Sequence, residues 1–256
     1  MPAALVTGGG ARLGKAMALY LAQRGYDVAV HYNTSAEGAE DVAAACGGKS
    51  VAIQADLLDE TQTSELLPKA VRKLGQPISV LVNNASIFEY DTIETATTES
   101  WDRHIGSNLR APFVLTQALA KQAPEAGVDE NGESIARALV INMIDQRVRK
   151  LTPEFMTYTL AKMGLWAFTQ TAAMGLAPHV RVNAIGPGPT LQGARQSDVH
   201  FKAQRDNTVL MRGASTSDIT AALGYFLDAP AVTGQLLCVD GGQHIGWKTQ
   251  DILGIE

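Results

Sequence analysis

"ALVTGGGARLGKAMA", residues 4–18, decides the fold. A short apolar run leads into three consecutive glycines, and from Leu13 onward the apolar positions fall at helical spacing. A strand, a tight glycine turn and a helix start, in that order, open a dinucleotide-binding α/β unit. Glycines let the backbone turn sharply and approach a pyrophosphate, while free N–H groups at the helix start stabilise its charge. Thr7, Gly8, Leu13 and Gly14 are therefore candidate cofactor contacts. A common form of this loop, T-G-x-x-x-G-x-G, carries glycine where this chain has Arg12. That side chain starts beside the expected phosphates, where a planar cation is useful.

Outward from this turn the chain alternates. Short runs rich in Val, Ile, Leu and Ala recur at 3–7, 27–32, 50–55, 78–84, 138–143, 180–185 and 235–240. Most are separated by helically spaced stretches such as "TLAKMGLWAFTQTAAMGLAP" (159–178). This rhythm predicts one doubly wound (Rossmann) parallel sheet of about seven strands with helices on both faces, a single α/β domain over 1–256. Residues 124–137 are polar and read as a surface loop; residues 187–212 form a long excursion after a late strand, placed to be a substrate lid.

The 256 residues, 46% hydrophobic and 18% charged, suit one globular core. A net charge of −5 argues against nucleic acid or an anionic membrane as partner. Cys46 and Cys238 lack metal-ligand spacing, as do the five histidines, so no metal site is expected. The first residues lack the features of a signal peptide and no segment is apolar enough to span a bilayer, so a cytoplasmic protein is expected.

Cofactor choice is read at the end of the second strand, "HYNTSAEG" (31–38). An NAD site usually has an acid there for the ribose diol. Here His31, Asn33, Thr34 and Ser35 precede the first acid, Glu37, and hydroxyls accept a 2′-phosphate that a carboxylate repels. NADP(H) is the expected cofactor.

Tyr158 and Lys162 stand four apart, on one face of a helix, and can enter the same cleft. A phenol needs help from its surroundings to exchange protons near neutrality. Asp145 follows the strand "ALVINM", at the carboxyl edge where open α/β sheets place ligands. It reads either as the cap of the next helix or as a group that takes up and delivers a proton.

"TGGGARLG", "NNAS" (83–86), "YTLAK" (158–162), "GPGPT" (186–190) and "VTGQLLCVDGG" (232–242) occur in the order of the short-chain dehydrogenases/reductases, which the chain resembles over nearly its whole length. More narrowly, Arg12, the "HY-x-x-S" stretch, "NNASIF" and Asp145 resemble the pteridine reductases, and the tail from "SDVHFKAQRD" onward is similar to dihydromonapterin reductases. In those enzymes an aspartate takes the usual serine position. The resemblance implies that Tyr158 gives the proton, Lys162 lowers its pKa and holds the nicotinamide ribose, and Asn108 holds a water beside the lysine. It also implies that Asn83 and Ala85 border the ribose, that Asp56 and Leu57 meet the adenine, and that Pro187 and Gly188 line the nicotinamide end. Ser86 and Phe88 would contact and stack on the pterin, with Arg12 bridging cofactor phosphate and substrate. A homotetramer is implied as well. Two other readings stay open: an ordinary carbonyl reductase acting on a 3-oxoacyl thioester or a sugar, and a cofactor-binding protein without turnover.

Overall fold

The computed structural model describes residues 1–193 and 196–248. Seven strands form one sheet: β1 (Ala3–Val6), β2 (Asp27–Tyr32), β3 (Val51–Gln54), β4 (Ile78–Asn83), β7 (Ala138–Met143), β8 (Val180–Pro187) and β9 (Leu236–Val239). Their order is β3-β2-β1-β4-β7-β8-β9, and every neighbouring pair is parallel. The chain reverses its winding between β1 and β4, where an open sheet leaves a crevice at its carboxyl edge.

Why these runs become strands is visible in their burial. Ala3 and Leu5 pack into one apolar layer, while Ala4 and Val6 pack into the layer on the opposite face. All four are fully buried, as expected where helices cover both faces of a parallel sheet. The helices are α1 (Arg12–Gln23), α2 (Ala36–Cys46), α3 (Glu60–Leu74), α4 (Thr98–Ile105), α5 (Ala111–Ala120), α6 (Met156–Leu176), α7 (Asp198–Asp206) and α8 (Thr216–Asp228). One turn of π-helix, Gly106–Arg110, joins α4 to α5.

Two segments differ from the sequence reading. The polar stretch 124–137 is not all loop: β5 (Gly127–Val128) and β6 (Ser134–Ile135) pair as a small antiparallel hairpin. Within 187–212, residues 194 and 195 lie outside the described residues, and α7 occupies 198–206. Ser197 caps α7 by accepting from the His200 N–H, but the helix buries no residue. Among the described residues no helix is long and apolar enough to cross a membrane.

Candidate active site

The glycine turn sits at the carboxyl end of β1 and is held from below. Gly8 adopts φ +60°, and a Cβ on Gly14 would lie 2.0 Å from the Gly8 carbonyl oxygen. Only glycine at position 14 lets α1 pack down on the turn. Thr7 Oγ1 accepts the N–H groups of Asn84 and Ala85 at 2.8 and 2.9 Å, lacing the turn to the end of β4. α1 starts at Ala11 without a side-chain cap and without an acid in its first turn. Its first N–H groups therefore face the crevice as an uncapped positive end, which fits a pyrophosphate. Leu13 lies partly buried against the layer under α1.

Several residues expected at the cofactor also make contacts within the chain. His31 is buried: its Nδ1 accepts the Gly8 N–H at 3.0 Å, and its Nε2 lies 3.0 Å from the Ala55 carbonyl. Since an N–H can only donate, the ring proton sits on Nε2 and His31 braces the turn from behind. Burial lowers its pKa to about 4, so the ring is neutral. Asn83 also turns inward, donating to Asn142 at 2.8 Å, so its amide is not directed at a ribose. Leu57 is buried in the core and Asp56 accepts the Leu58 N–H in a local turn. Asn33, Thr34 and Ser35 are exposed at the start of α2. Arg12 takes φ +51° and donates to the carbonyls of Leu191 and Gln192 at 2.9 and 2.8 Å. Its planar fork thus ties the glycine turn to the segment that follows β8. At the far end of the crevice, a Cβ on Gly188 would come within 2.5 Å of the Asp240 Cβ, so Pro187 and Gly188 pack tightly there.

The arm after β4 carries Ser86 and Phe88. Asn108, fully buried on the π-turn, grips it: Oδ1 accepts the Ile87 N–H at 2.9 Å and Nδ2 donates to the Ile87 carbonyl at 2.8 Å. Both polar atoms of that amide are committed to the arm. Phe88 is 44% exposed. It stacks on Phe155 with centroids 4.3 Å apart and planes 8° from parallel, and meets the Tyr158 ring edge-on at 4.7 Å. Phe155 in turn lies 5.1 Å from the Arg147 guanidinium.

Asp145, Tyr158 and Lys162 come together. Asp145 both caps the next turn and meets Tyr158. Its Oδ1 accepts the Arg147 N–H at 2.8 Å and caps a turn of 3-10 helix, Gln146–Arg149, while its Oδ2 accepts the Tyr158 hydroxyl at 3.0 Å. Burial raises the Asp145 pKa, opposed by the Arg147 N–H and charge. Burial, and then the carboxylate beside it, push the Tyr158 phenol well above its usual range. Lys162 Nζ donates to the Met143 carbonyl at 2.8 Å and stands 5.6 Å from the ring centroid of Tyr158. Burial lowers the Lys162 pKa to about 8. The result is a protonated phenol, a carboxyl group hydrogen-bonded to it, and a buried amine, gathered beside the carboxyl end of β7.

A profile of the family described as "Enoyl-(Acyl carrier protein) reductase" matches residues 10–244. A "Short-chain dehydrogenase/reductase" of Armillaria gallica is 32% identical over 257 residues, covering 93% of this chain and 94% of that protein. The chain belongs to the short-chain dehydrogenase/reductase family. It is therefore an oxidoreductase that works with a nicotinamide dinucleotide. A "3-oxoacyl-[acyl-carrier-protein] reductase" of Staphylococcus aureus is 31% identical, with 94% of this chain and 98% of that protein covered. Among solved structures, the FolM "Alternative dihydrofolate reductase 1" from Brucella suis in complex with NADP is 40% identical with a TM-score of 0.90, covering 98% of each chain. For this short-chain reductase, sequence reasoning missed Asn84, whose amide donates to the carbonyls of Thr7 and Gly8, and Phe155 and Arg147 behind Phe88. Asn84 is adjacent to a residue that was singled out; the other two carry no spacing that marks them.

Proposed function

We propose that the protein is an NADPH-dependent reductase of a pterin, taking a 7,8-dihydropterin of dihydromonapterin type to the tetrahydro form. The observation that carries this reading is the 3.0 Å hydrogen bond from Tyr158 to Asp145 where the ordinary family pattern has serine. A serine donates one hydrogen bond to a carbonyl oxygen; a carboxyl group takes up and delivers a proton, which suits reduction of a ring C=N bond. The NADP-bound FolM structure, 40% identical over nearly the whole chain, supports both the cofactor and the substrate class. The exposed hydroxyls of Thr34 and Ser35 support preference for the 2′-phosphate.

When bound, NADPH supplies the hydride. The uncapped start of α1 holds its pyrophosphate, and Pro187 and Gly188 border the nicotinamide end. Asp56 and Ala85 border adenine and ribose through their backbone and side chains. Phe88 and Ser86 hold the pterin ring, with Arg12 reaching its polar edge. Tyr158, kept protonated by its raised pKa, delivers a proton to the ring nitrogen beside the reduced carbon, and the phenolate is restored from Asp145. Burial raises the pKa of Asp145 above the ordinary carboxyl value, which favours its carrying that proton.

The test is NADPH oxidation at 340 nm with a dihydropterin, dihydrofolate and an acetoacetyl thioester, for wild type and Asp145→Ser. Dihydropterin turnover that collapses in the variant is the expected result. Thioester reduction that survives the substitution, with pterins inert, overturns the pterin reading in favour of a carbonyl reductase, a choice that the 31% identical Staphylococcus aureus relative makes worth including.

A further inference from the structure

Helix α6 carries Tyr158 in its first turn, yet it has no cap of its own. Its N-cap residue is Phe155, in the left-handed region at φ 56°, with no side-chain hydrogen bond to the helix. Asp91, 65 residues earlier than Met156, caps it instead: the Asp91 carbonyl accepts the Met156 N–H at 3.3 Å and Oδ1 accepts the Thr157 N–H at 3.2 Å. A carboxylate at this end of a helix is favoured by the helix dipole. Asp91 Oδ2 also accepts the hydroxyls of Thr157 and Ser100.

The direction of the protons along His104, Thr157 and Asp91 follows from the fixed N–H donor at one end. The Glu89 N–H lies 3.1 Å from Nε2 of His104, so Nε2 must accept and the neutral ring carries its proton on Nδ1. Nδ1 lies 2.6 Å from Thr157 Oγ1 and donates to it, and the Thr157 hydroxyl donates onward to Asp91. His104, Thr157 and Asp91 are all buried, and the His104 ring stands edge-on to Tyr158 at 6.0 Å. A buried chain with each polar group satisfied specifies one geometry far better than an apolar contact does.

We propose that His104, Thr157 and Asp91 are positioning residues that lock the Phe88 arm to the first turn of α6, and thereby set the Tyr158 hydroxyl relative to the bound substrate. The chain starts at the backbone of Glu89, next to Phe88, and passes through Thr157, the residue before Tyr158, to Asp91. The inference rests on Tyr158 delivering the proton at this site, as in the reading above, but not on which ring the substrate carries.

Thr157→Val keeps the side-chain shape and removes the hydroxyl; Thr157→Ser keeps the hydroxyl. Each is measured against wild type for NADPH binding by fluorescence, and for kcat and KM per NADPH-binding site. Misplacement of a proton donor by a fraction of an ångström to an ångström predicts a loss in kcat of about tenfold or more for Thr157→Val. The NADPH KM stays within about twofold, and Thr157→Ser recovers most of the loss. A merely structural clamp would lower the folded fraction and leave kcat per binding site unchanged, which overturns the proposal. If Thr157→Val does not fold, His104→Gln decides: it keeps an acceptor for Glu89 and removes the donor to Thr157. Wild-type kcat in that variant, or loss of the fold in both, overturns the proposal; a kcat loss supports it. Wild-type activity on the dihydropterin or the thioester tests the substrate class separately. The variant-to-wild-type ratio is taken on whichever substrate wild type reduces.

Discussion

At the ends of β1 and β2 the crevice is walled by backbone, whereas at the ends of β4 and β7 it is walled by buried ionisable side chains. The first wall is made by Gly8, Gly14 and an uncapped helix start, and its one buried histidine is neutral and bonded on both nitrogens. The second is made by Asp145, Tyr158 and Lys162, whose pKa values are all displaced by burial. A polyanionic cofactor is best met by many weak, fixed dipoles; a proton must be met by groups whose affinity for it has been tuned. The two walls should therefore fail differently when altered.

The largest effect is expected on the tuned wall. Tyr158→Phe removes the proposed proton donor and should lower kcat by about 10²–10⁴-fold while leaving NADPH binding close to wild type, a split read by steady-state kinetics and fluorescence titration. Equal loss of binding and turnover would mean that the two walls are not separable. On the backbone wall, Gly14→Ala forces a Cβ against the Gly8 carbonyl at 2.0 Å. It should cost about 3 kcal/mol of stability, seen as a lowered Tm and weakened NADPH binding. An alanine tolerated without change would remove the argument that close packing fixes this turn.

His31 sharpens the contrast through pH. Its folded pKa, about 4, lies below the ordinary 6.5, so the unfolded chain binds the extra proton between those values. Stability contributed by the neutral ring is full above pH 6.5 and is lost as pH falls toward 4, by up to roughly 3 kcal/mol. His31→Asn should flatten that part of a stability-against-pH curve measured by urea unfolding; an unchanged slope would show that other groups carry the acid sensitivity. The smallest effect is a shift of a limb. Lys162 titrates near pH 8, and the Asp145 charge holds it higher than burial alone would. Asp145→Asn should therefore move an alkaline limb of kcat/KM, where residual activity permits its measurement, to lower pH. A limb that stays in place or moves up would break the electrostatic link between the two groups.

The same contrast explains what the sequence discloses. All seven sheet strands were legible because burial on both faces leaves continuous apolar runs, and the glycine turn because backbone geometry leaves a local residue pattern. The hairpin β5–β6 was not, since two residues per strand make no periodicity, and neither was α7, which buries nothing and so has no apolar stripe. In the site, Asp145 was legible from its place after a strand and its nearness to Tyr158 from the resemblance to the pteridine reductases. The bridge from His104 to Thr157 spans 53 residues and that from Asp91 to Thr157 spans 66, with no motif to join them. Asn83 and Asn108 show a third case: the residues were found, but their amides bond the protein interior and the arm, because a sequence does not say which way a side chain turns.

Asp145 divides its two oxygens between two jobs, holding up the turn at Arg147 with one and meeting Tyr158 with the other. A serine has a single oxygen and a shorter reach, so no one-step exchange at this position preserves both. Passage between this site and a serine-based one, in a lineage or at the bench, thus runs through a variant that is compromised in shape or in chemistry unless the 146–149 turn is re-capped first. The carboxylate is held in place by architecture as well as by the reaction proposed for it.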